Sequence, residues 1–377
     1  MDLLQPAHEK ASPKLAIFAA TSGHSGVDRI LRNLVPEFTK RGVLTDILKV
    51  EGHGPHFDQL PDGARLVELG SRHSGTSLIP LIKYLRKHRP NALLSDKERV
   101  NRTALWACRL AKVNTHHVVR FGTTMSINLA RKSRWEQRMQ TFSLRRFYKR
   151  AKAIIVPSHG VKHDLVEHFS LSPDNIHVIH NPVLTADFFQ RAQESIHWPW
   201  DNDDKTIPVI IGVGDQSPRK DFATLMRSFA LLRQQRPCRL LLVGDGEEHA
   251  YLKSLAVELR VNDDVAFTGF VANPYPFIKK ANVLALTSKH EGMGIVLAEA
   301  LALGVQVVST DSPSGPREVL QNGRAGFLAP VADVGGIATS LTTALDKPID
   351  PEILYTAASR YSAEHSAEHY LRVLGLE

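Results

Sequence analysis

The sequence predicts an α/β protein built from two doubly wound, Rossmann-like domains that face a cleft. Three observations carry that expectation. Short apolar runs of strand type alternate with helical patterns. The alternation stops at an acidic, Trp- and Pro-rich stretch and then starts again. The 377 residues also exceed what one hydrophobic core usually supports.

The first strand is KLAIFAA (Lys14–Ala20), a buried-type run that ends in TSGHSG. A helix pattern follows with Val27, Ile30, Leu31, Leu34 and Phe38 at helical spacing, Gly42 as its stop, and Pro36 as an expected kink or break. LTDILKV, a helix near Leu78–His88, NALLSD, a helix over Thr103–Lys112, HHVVRF and AIIVPS continue the alternation. The stretch QESIHWPWDNDDK (Gln193–Lys205) reads as a linker. A second series then runs VIIGVG, RLLLVG, VAFTGF, VLALTS and VQVVST. The predicted organisation is a disordered leader over 1–13, a first domain over 14–185, a linker over 186–206 and a second domain over 207–359. A C-terminal helix at about 360–377 is placed to pack back on the first domain.

A hydrophobic content of 43% and a charged content of 23% belong to a globular protein, and no apolar run reaches the 18 residues of a membrane span. The opening residues lack the apolar stretch of a secretory signal. Cys108 and Cys238 lie far apart, which excludes a disulfide framework and fits a reducing, cytoplasmic compartment. The net charge of +8 divides unevenly: Lys and Arg exceed acids by 14 through Thr185, and acids exceed them by 6 beyond it. One half is thus suited to an anionic partner, with nucleic acid, anionic lipid and a phosphorylated acceptor as candidates.

The strongest chemical signal is HEGMGIVLAEALALGVQVVSTD, His290 to Asp311. It follows the strand VLALTS directly. Gly292 and Gly294 allow a tight loop with exposed amides, and Ile295 opens a helical pattern whose N-terminus favours phosphate. Glu291 in the loop and Glu299 one turn into the helix can reach two polyols. Taken alone, a Glu-x7-Glu pair is more often a helix-surface acid and a helix-dipole partner.

In its full setting this segment resembles the Glu-x7-Glu signature of glycosyltransferase family four. TGFVANPYPFIKKANVLALTS, DSPSGPREVLQNGRAGFLAPVAD, GVGDQSPRKDFATLMRSFALL and SHGVKHDLVEHFSLSPDNIHVIHNPV extend the likeness. It runs from about Lys14 to the end, is closer in the second half, and is nearest to the bacterial transferases of lipopolysaccharide core, O-antigen and capsule. The resemblance implies the GT-B arrangement and a retaining transfer of sugar from a nucleotide diphosphate sugar. It further implies that Glu291 contacts the transferred sugar, Glu299 holds the ribose hydroxyls and Lys220 binds the leaving diphosphate. Arg219 is a second candidate for that phosphate. Gly26 takes the place of the small-residue loop near the diphosphate, and Phe270 and Val271 stand near the base. No cofactor and no metal are expected.

Two departures stand out. Gly214-Asp215 replaces an arginine of many relatives, and Arg120-Phe121-Gly122-Thr123 replaces the stretch with a histidine near the reacting carbon, so that histidine corresponds to Gly122. Arg120 and Gly122 are therefore candidate acceptor-side positions, while His116 and His117 on the strand are expected to be structural. Asp201-Asn202-Asp203 resembles a metal-binding Asp-x-Asp but sits in the linker, where solvated acids are the expectation. Gly212-Val213-Gly214 is an incomplete dinucleotide fingerprint.

Arg131–Lys152 carries Trp135, Met139 and Phe142 on one helical stripe, with Arg131, Arg134, Arg138, Arg145 and Arg146 around it. Such a helix either lies in an anionic membrane interface or packs its stripe on its own domain. The expected partners are a nucleotide-sugar donor and a glycan or lipid-linked acceptor, with peripheral association at the inner membrane face. A nucleotide-sugar epimerase or hydrolase is the rival enzyme class. A basic nucleic-acid-binding protein is the rival of another kind, disfavoured because the basic residues are not interleaved with stacking aromatics on strands.

Overall fold

The computed structural model describes residues 12–21, 26–57, 59–200 and 206–377. Most of the leader, Ser25 and the Asp201-Asn202-Asp203 stretch lie outside the described residues.

Among the described residues the chain forms two parallel sheets. The first comprises β1 (Lys14–Ala19), β2 (Leu44–Lys49), β3 (Ala64–Glu68), β4 (Ala92–Asp96), β5 (His116–Arg120), β6 (Ala153–Val156) and β7 (Ile176–Val178). Its order is β3-β2-β1-β4-β5-β6-β7. The second comprises β8 (Val209–Val213), β9 (Arg239–Val243), β10 (Val265–Gly269), β11 (Val283–Leu286), β12 (Gln306–Thr310) and β13 (Phe327–Ala329), in the order β10-β9-β8-β11-β12-β13. Each order reverses direction once beside its first strand, between β1 and β4 and between β8 and β11. At such a switch point the loops beyond the carboxyl ends splay apart and leave a crevice.

Burial explains why the interior strands are unbroken apolar runs: helices cover both faces, so β1, β4, β8 and β11 have no solvent side. In the first sheet Leu15, Ile17 and Leu94 pack on one side, and Ala16, Phe18 and Leu93 on the other. The helix Gly26–Lys40 continues through Pro36 without a break. Ile30, Leu31, Leu34, Val35 and Phe38 are all buried on it, and that apolar face outweighs one missing hydrogen bond. The helix expected over Thr103–Lys112 begins earlier, at Glu98, directly after β4.

Two segments tie the halves together. Trp198, in the expected linker, is buried beside Phe277, with the Lys280 ammonium 5.0 Å from its ring centroid. The described part of that linker, through Trp200, is thus a belt on the second domain rather than a loose tether. Beyond the second domain the chain crosses back: Val183 N donates to the carbonyl of Tyr361 at 2.8 Å. The helix Ala363–Leu374 then buries Ala367, Tyr370, Leu371 and Leu374 against the core of the first sheet.

Candidate active site

The loop after β8 and the loop after β11 are neighbours because the two strands pair. Backbone contacts lock them: Lys289 N donates to Arg219 O at 2.9 Å, and the Thr287 hydroxyl donates to Lys220 O at 3.1 Å. This brings Lys220 and Arg219 to Glu291. Lys220 Nζ lies 2.7 Å from Glu291 Oε1, Arg219 Nη1 lies 2.9 Å from it, and the Ser288 hydroxyl donates to it at 2.7 Å. Burial alone would raise the Glu291 pKa, but the two cations and the hydrogen bonds win and hold it at about 2. The Lys220 side chain passes over Gly214, where a Cβ would stand 2.9 Å from its Cε at φ +154°. Gly214, where many relatives have arginine next in sequence, is the opening through which Lys220 reaches the site.

Gly294, at φ +79°, turns the chain into the helix Ile295–Ala302. Ile295 packs at the junction of the two domain cores, and Gly26 faces its Cδ1. The N-termini of two helices, Gly26–Lys40 and Ile295–Ala302, therefore meet across the cleft, each turning the positive end of its dipole toward it.

Glu299, in the same helix, is fully buried. One of its carboxylate oxygens contacts the guanidinium of Arg29, and Oε2 has no hydrogen-bond partner among the described residues. Burial raises its pKa, and Arg29 and Arg191 only partly oppose this. Tyr275 lies against both of those arginines, with ring-to-guanidinium distances of 5.2 and 5.0 Å. Phe270 is 62% exposed just after β10, and Val271 packs on the second domain's core.

The domains also touch through backbone. A Cβ on Gly292 would stand 1.9 Å from the carbonyl oxygen of Gly122. Ser158 donates to Gly292 O at 2.8 Å, and Ser314 donates to Glu291 O at 2.8 Å. Gly122 therefore lies against the donor loop. Arg120 does not reach it as a free cation: the guanidinium is 1% exposed and donates to Asp96, Tyr370 and Asn181 at 2.6, 2.9 and 2.6 Å. His117 is buried at 2.9 Å from the Ser95 hydroxyl, and burial pushes its pKa down to about 3. Among the described residues no cluster of three or more His, Cys, Asp or Glu could hold a metal.

Sequence reasoning did not find Arg29, Arg191, Tyr275, Ser158 or Ser314. Arg29 had one usable signal, its place three residues after Gly26 on the first helix. The others come from segments brought in by tertiary contact.

Two parallel-sheet domains with a helix N-terminus, a cation pair and two buried glutamates at their cleft define the GT-B class of nucleotide-sugar enzymes. The comparisons agree. The family model described as glycosyl transferases group 1 matches residues 192–361, and the model described as glycosyltransferase family 4 matches residues 24–187. The chain thus joins a glycosyltransferase family 4 domain to a glycosyl transferases group 1 domain and is a glycosyltransferase. It is 29% identical over 353 residues to the N-acetylgalactosamine-N,N'-diacetylbacillosaminyl-diphospho-undecaprenol 4-alpha-N-acetylgalactosaminyltransferase of Campylobacter jejuni, covering 88% of this chain and 90% of that one. It is 25% identical to the lipopolysaccharide core biosynthesis glycosyltransferase LpsE of Rhizobium meliloti, covering 93% and 95%. HepE of Anabaena, solved in complex with UDP, shares the fold with a TM-score of 0.74 at 17% identity, over 96% of this chain and 99% of that one.

Proposed function

We propose that the protein is a retaining transferase that moves a hexose or N-acetylhexosamine from a nucleoside diphosphate to a lipid-linked or glycan acceptor in cell-surface polysaccharide assembly. The observation that carries this is the convergence of Lys220 and Arg219 on Glu291 where the two helix N-termini meet. A leaving diphosphate gains negative charge as the bond to the anomeric carbon breaks. Lys220, Arg219 and the N–H groups at Gly294 and Gly26 would stabilise it without reorganisation. Glu291, ionised and fixed in place, would accept hydroxyl protons of the transferred sugar. Glu299 Oε2 is an open buried acceptor of the kind a ribose hydroxyl satisfies. No carboxylate stands as a covalent nucleophile, and Gly122 leaves a backbone carbonyl where many relatives have histidine. Retention would then follow from attack on the same face, with the leaving phosphate taking the acceptor proton. The positive charge is supplied by side chains, so turnover should proceed in a chelator.

The relatives' acceptors and the outward apolar stripe Trp135, Met139 and Phe142, respectively 71%, 50% and 58% exposed, support peripheral work at a membrane surface. No described helix is long and apolar enough to cross a membrane.

Thermal shift against UDP, GDP and ADP, followed by radiolabel transfer from the matching sugar to a lipid extract in EDTA, tests the reading. A nucleotide at 100 times its Kd adds about 2.7 kcal/mol of stability. Replacing Lys220 with Met should lower kcat by about 10²- to 10³-fold. Donor hydrolysis that is unchanged by acceptor would overturn transfer, and full activity in K220M would overturn the site.

A further inference from the structure

Away from the donor loop, the first domain holds a cavity of about 770 Å³ at the carboxyl ends of β1 and β4, between the N-terminus of the helix Glu98–Ala111 and the helix Arg134–Phe147. Its lining is divided. Lys97, Arg99 and Lys132 bring three cations that form no salt bridge among the described residues, Lys132 donating instead to Gln140 Oε1 at 3.1 Å; of the acids, Glu98 is bound through Oε1 to Arg102 at 3.1 Å while its Oε2 is buried without a hydrogen-bond partner, and Glu136 accepts from the Ser133 backbone. Trp135 and Met139 bring an apolar wall that is 71% and 50% exposed. The helix bearing that wall turns Gln140, Ser143 and Leu144 inward and leaves Trp135, Met139 and Phe142 outside. Packing within the domain therefore does not account for the stripe. Lys97 is held at φ +76°, ψ +142°, a backbone region that lysine rarely adopts, and this places it at the cavity floor directly after β4.

The loop after β5, at the same end of the first sheet, meets the loop that carries Glu291 where Gly122 lies against Gly292. Arg131, one residue before Lys132, is close enough to His290 that burial and the charges of Arg131 and Arg219 hold that imidazole below its usual range. Cations without a carboxylate partner beside an exposed apolar wall are complementary to an anionic amphiphile.

We propose that this cavity is the acceptor's anchoring site. It takes a phosphoryl or diphosphoryl head on Lys97, Arg99 and Lys132, and an apolar chain across Trp135 and Met139. The inference rests on the transferase reading and narrows its acceptor to a lipid phosphate or diphosphate. A free sugar or an uncharged glycan brings no counter-charge to the cations and no apolar chain to the wall. Three cations balance the two or three negative charges of such a head, and their disposition around an open cavity lets sugars attached to it extend toward Gly122 and Glu291.

The full-length protein, with its donor site saturated by UDP, is titrated with farnesyl diphosphate, farnesyl phosphate and farnesol, following Trp135 fluorescence and calorimetry. The diphosphate is expected to bind at least tenfold more tightly than farnesol. Lys97→Gln, Arg99→Gln and Lys132→Gln combined should remove at least that factor with UDP affinity unchanged. Trp135→Ser with Met139→Ser should weaken farnesyl diphosphate but not inorganic pyrophosphate. Equal binding of farnesol, or an unaffected triple variant, would overturn the proposal. It would also be overturned if the triple variant lost phosphatidylglycerol vesicles yet kept farnesyl diphosphate, since the cations would then serve the bilayer surface. Failure of UDP to bind would instead strike the donor reading, and the variant pair would still decide the cavity.

Discussion

Glu291 and Glu299, eight positions apart on one loop and helix, meet opposite electrostatic surroundings. At Glu291 two cations and a hydroxyl overcome burial, and the pKa falls to about 2. At Glu299 burial prevails over Arg29 and Arg191, and the pKa rises. A carboxyl whose pKa is raised on folding binds its proton more tightly in the folded state. Its contribution to stability is therefore largest below the unfolded value of 4.5 and is lost as pH rises through the folded value. Glu299→Gln removes this penalty. At pH 8 and without nucleotide, E299Q should melt at least as high as the parent, and the advantage should shrink as pH falls toward 5. UDP affinity should drop about tenfold, the worth of one hydrogen bond to a charged group. Scanning fluorimetry at the two pH values with and without UDP reads all three. A lower melting temperature at pH 8 would mean that the Arg29 contact outweighs desolvation.

Among the secondary-structure elements, legibility followed burial. Every interior strand was visible as an apolar run because both of its faces are covered. The strands that the reading missed, β3, β7 and β13, are all at sheet edges. β3 is mostly exposed, and β7 and β13 are three residues long, so none offers a run to detect. The donor loop was legible because its glycines, its glutamates and the helix they open are consecutive in sequence. The contact of Gly292 with Gly122 was not, since it joins two domains. That contact makes a sharp prediction for the loop. Gly292→Ala places a methyl 1.9 Å from the Gly122 carbonyl oxygen, a distance that backbone cannot absorb without parting the domains. Transfer should fall at least about a hundredfold, equivalent to roughly 3 kcal/mol of transition-state stabilisation. Binding of the nucleotide selected by the thermal-shift screen, which the proposal assigns to the second domain, should persist. Small-angle scattering with UDP should report a larger radius of gyration than the parent, and an unchanged radius with full activity would show that the loop yields instead.

For the molecule as a whole, Arg120 is the joint. From sequence it was a candidate beside the acceptor; in the fold it binds β5 to β4 through Asp96, to the chain before the belt through Asn181, and to the C-terminal helix through Tyr370. Its pKa is raised: burial opposes the charged form, but Asp96 and Tyr370 more than compensate. Nothing in HHVVRF announces this, because the three partners lie 24, 61 and 250 residues away. The joint holds the C-terminal helix on the first domain although the chain reaches it only after crossing the second. Arg120→Met strands a buried Asp96 and should cost about 3–5 kcal/mol. Tyr370→Phe removes one hydrogen bond to a charged group and should cost about 1.5–3 kcal/mol. If the tyrosine hydroxyl acts through Arg120, adding Y370F to R120M should cost less than 1 kcal/mol, the signature of coupled neighbours. Urea unfolding of the four proteins, read at the first cooperative transition, closes that cycle. Additive losses would mean that the Tyr370 hydroxyl acts through a group other than Arg120, since phenylalanine keeps the ring packed against Phe38.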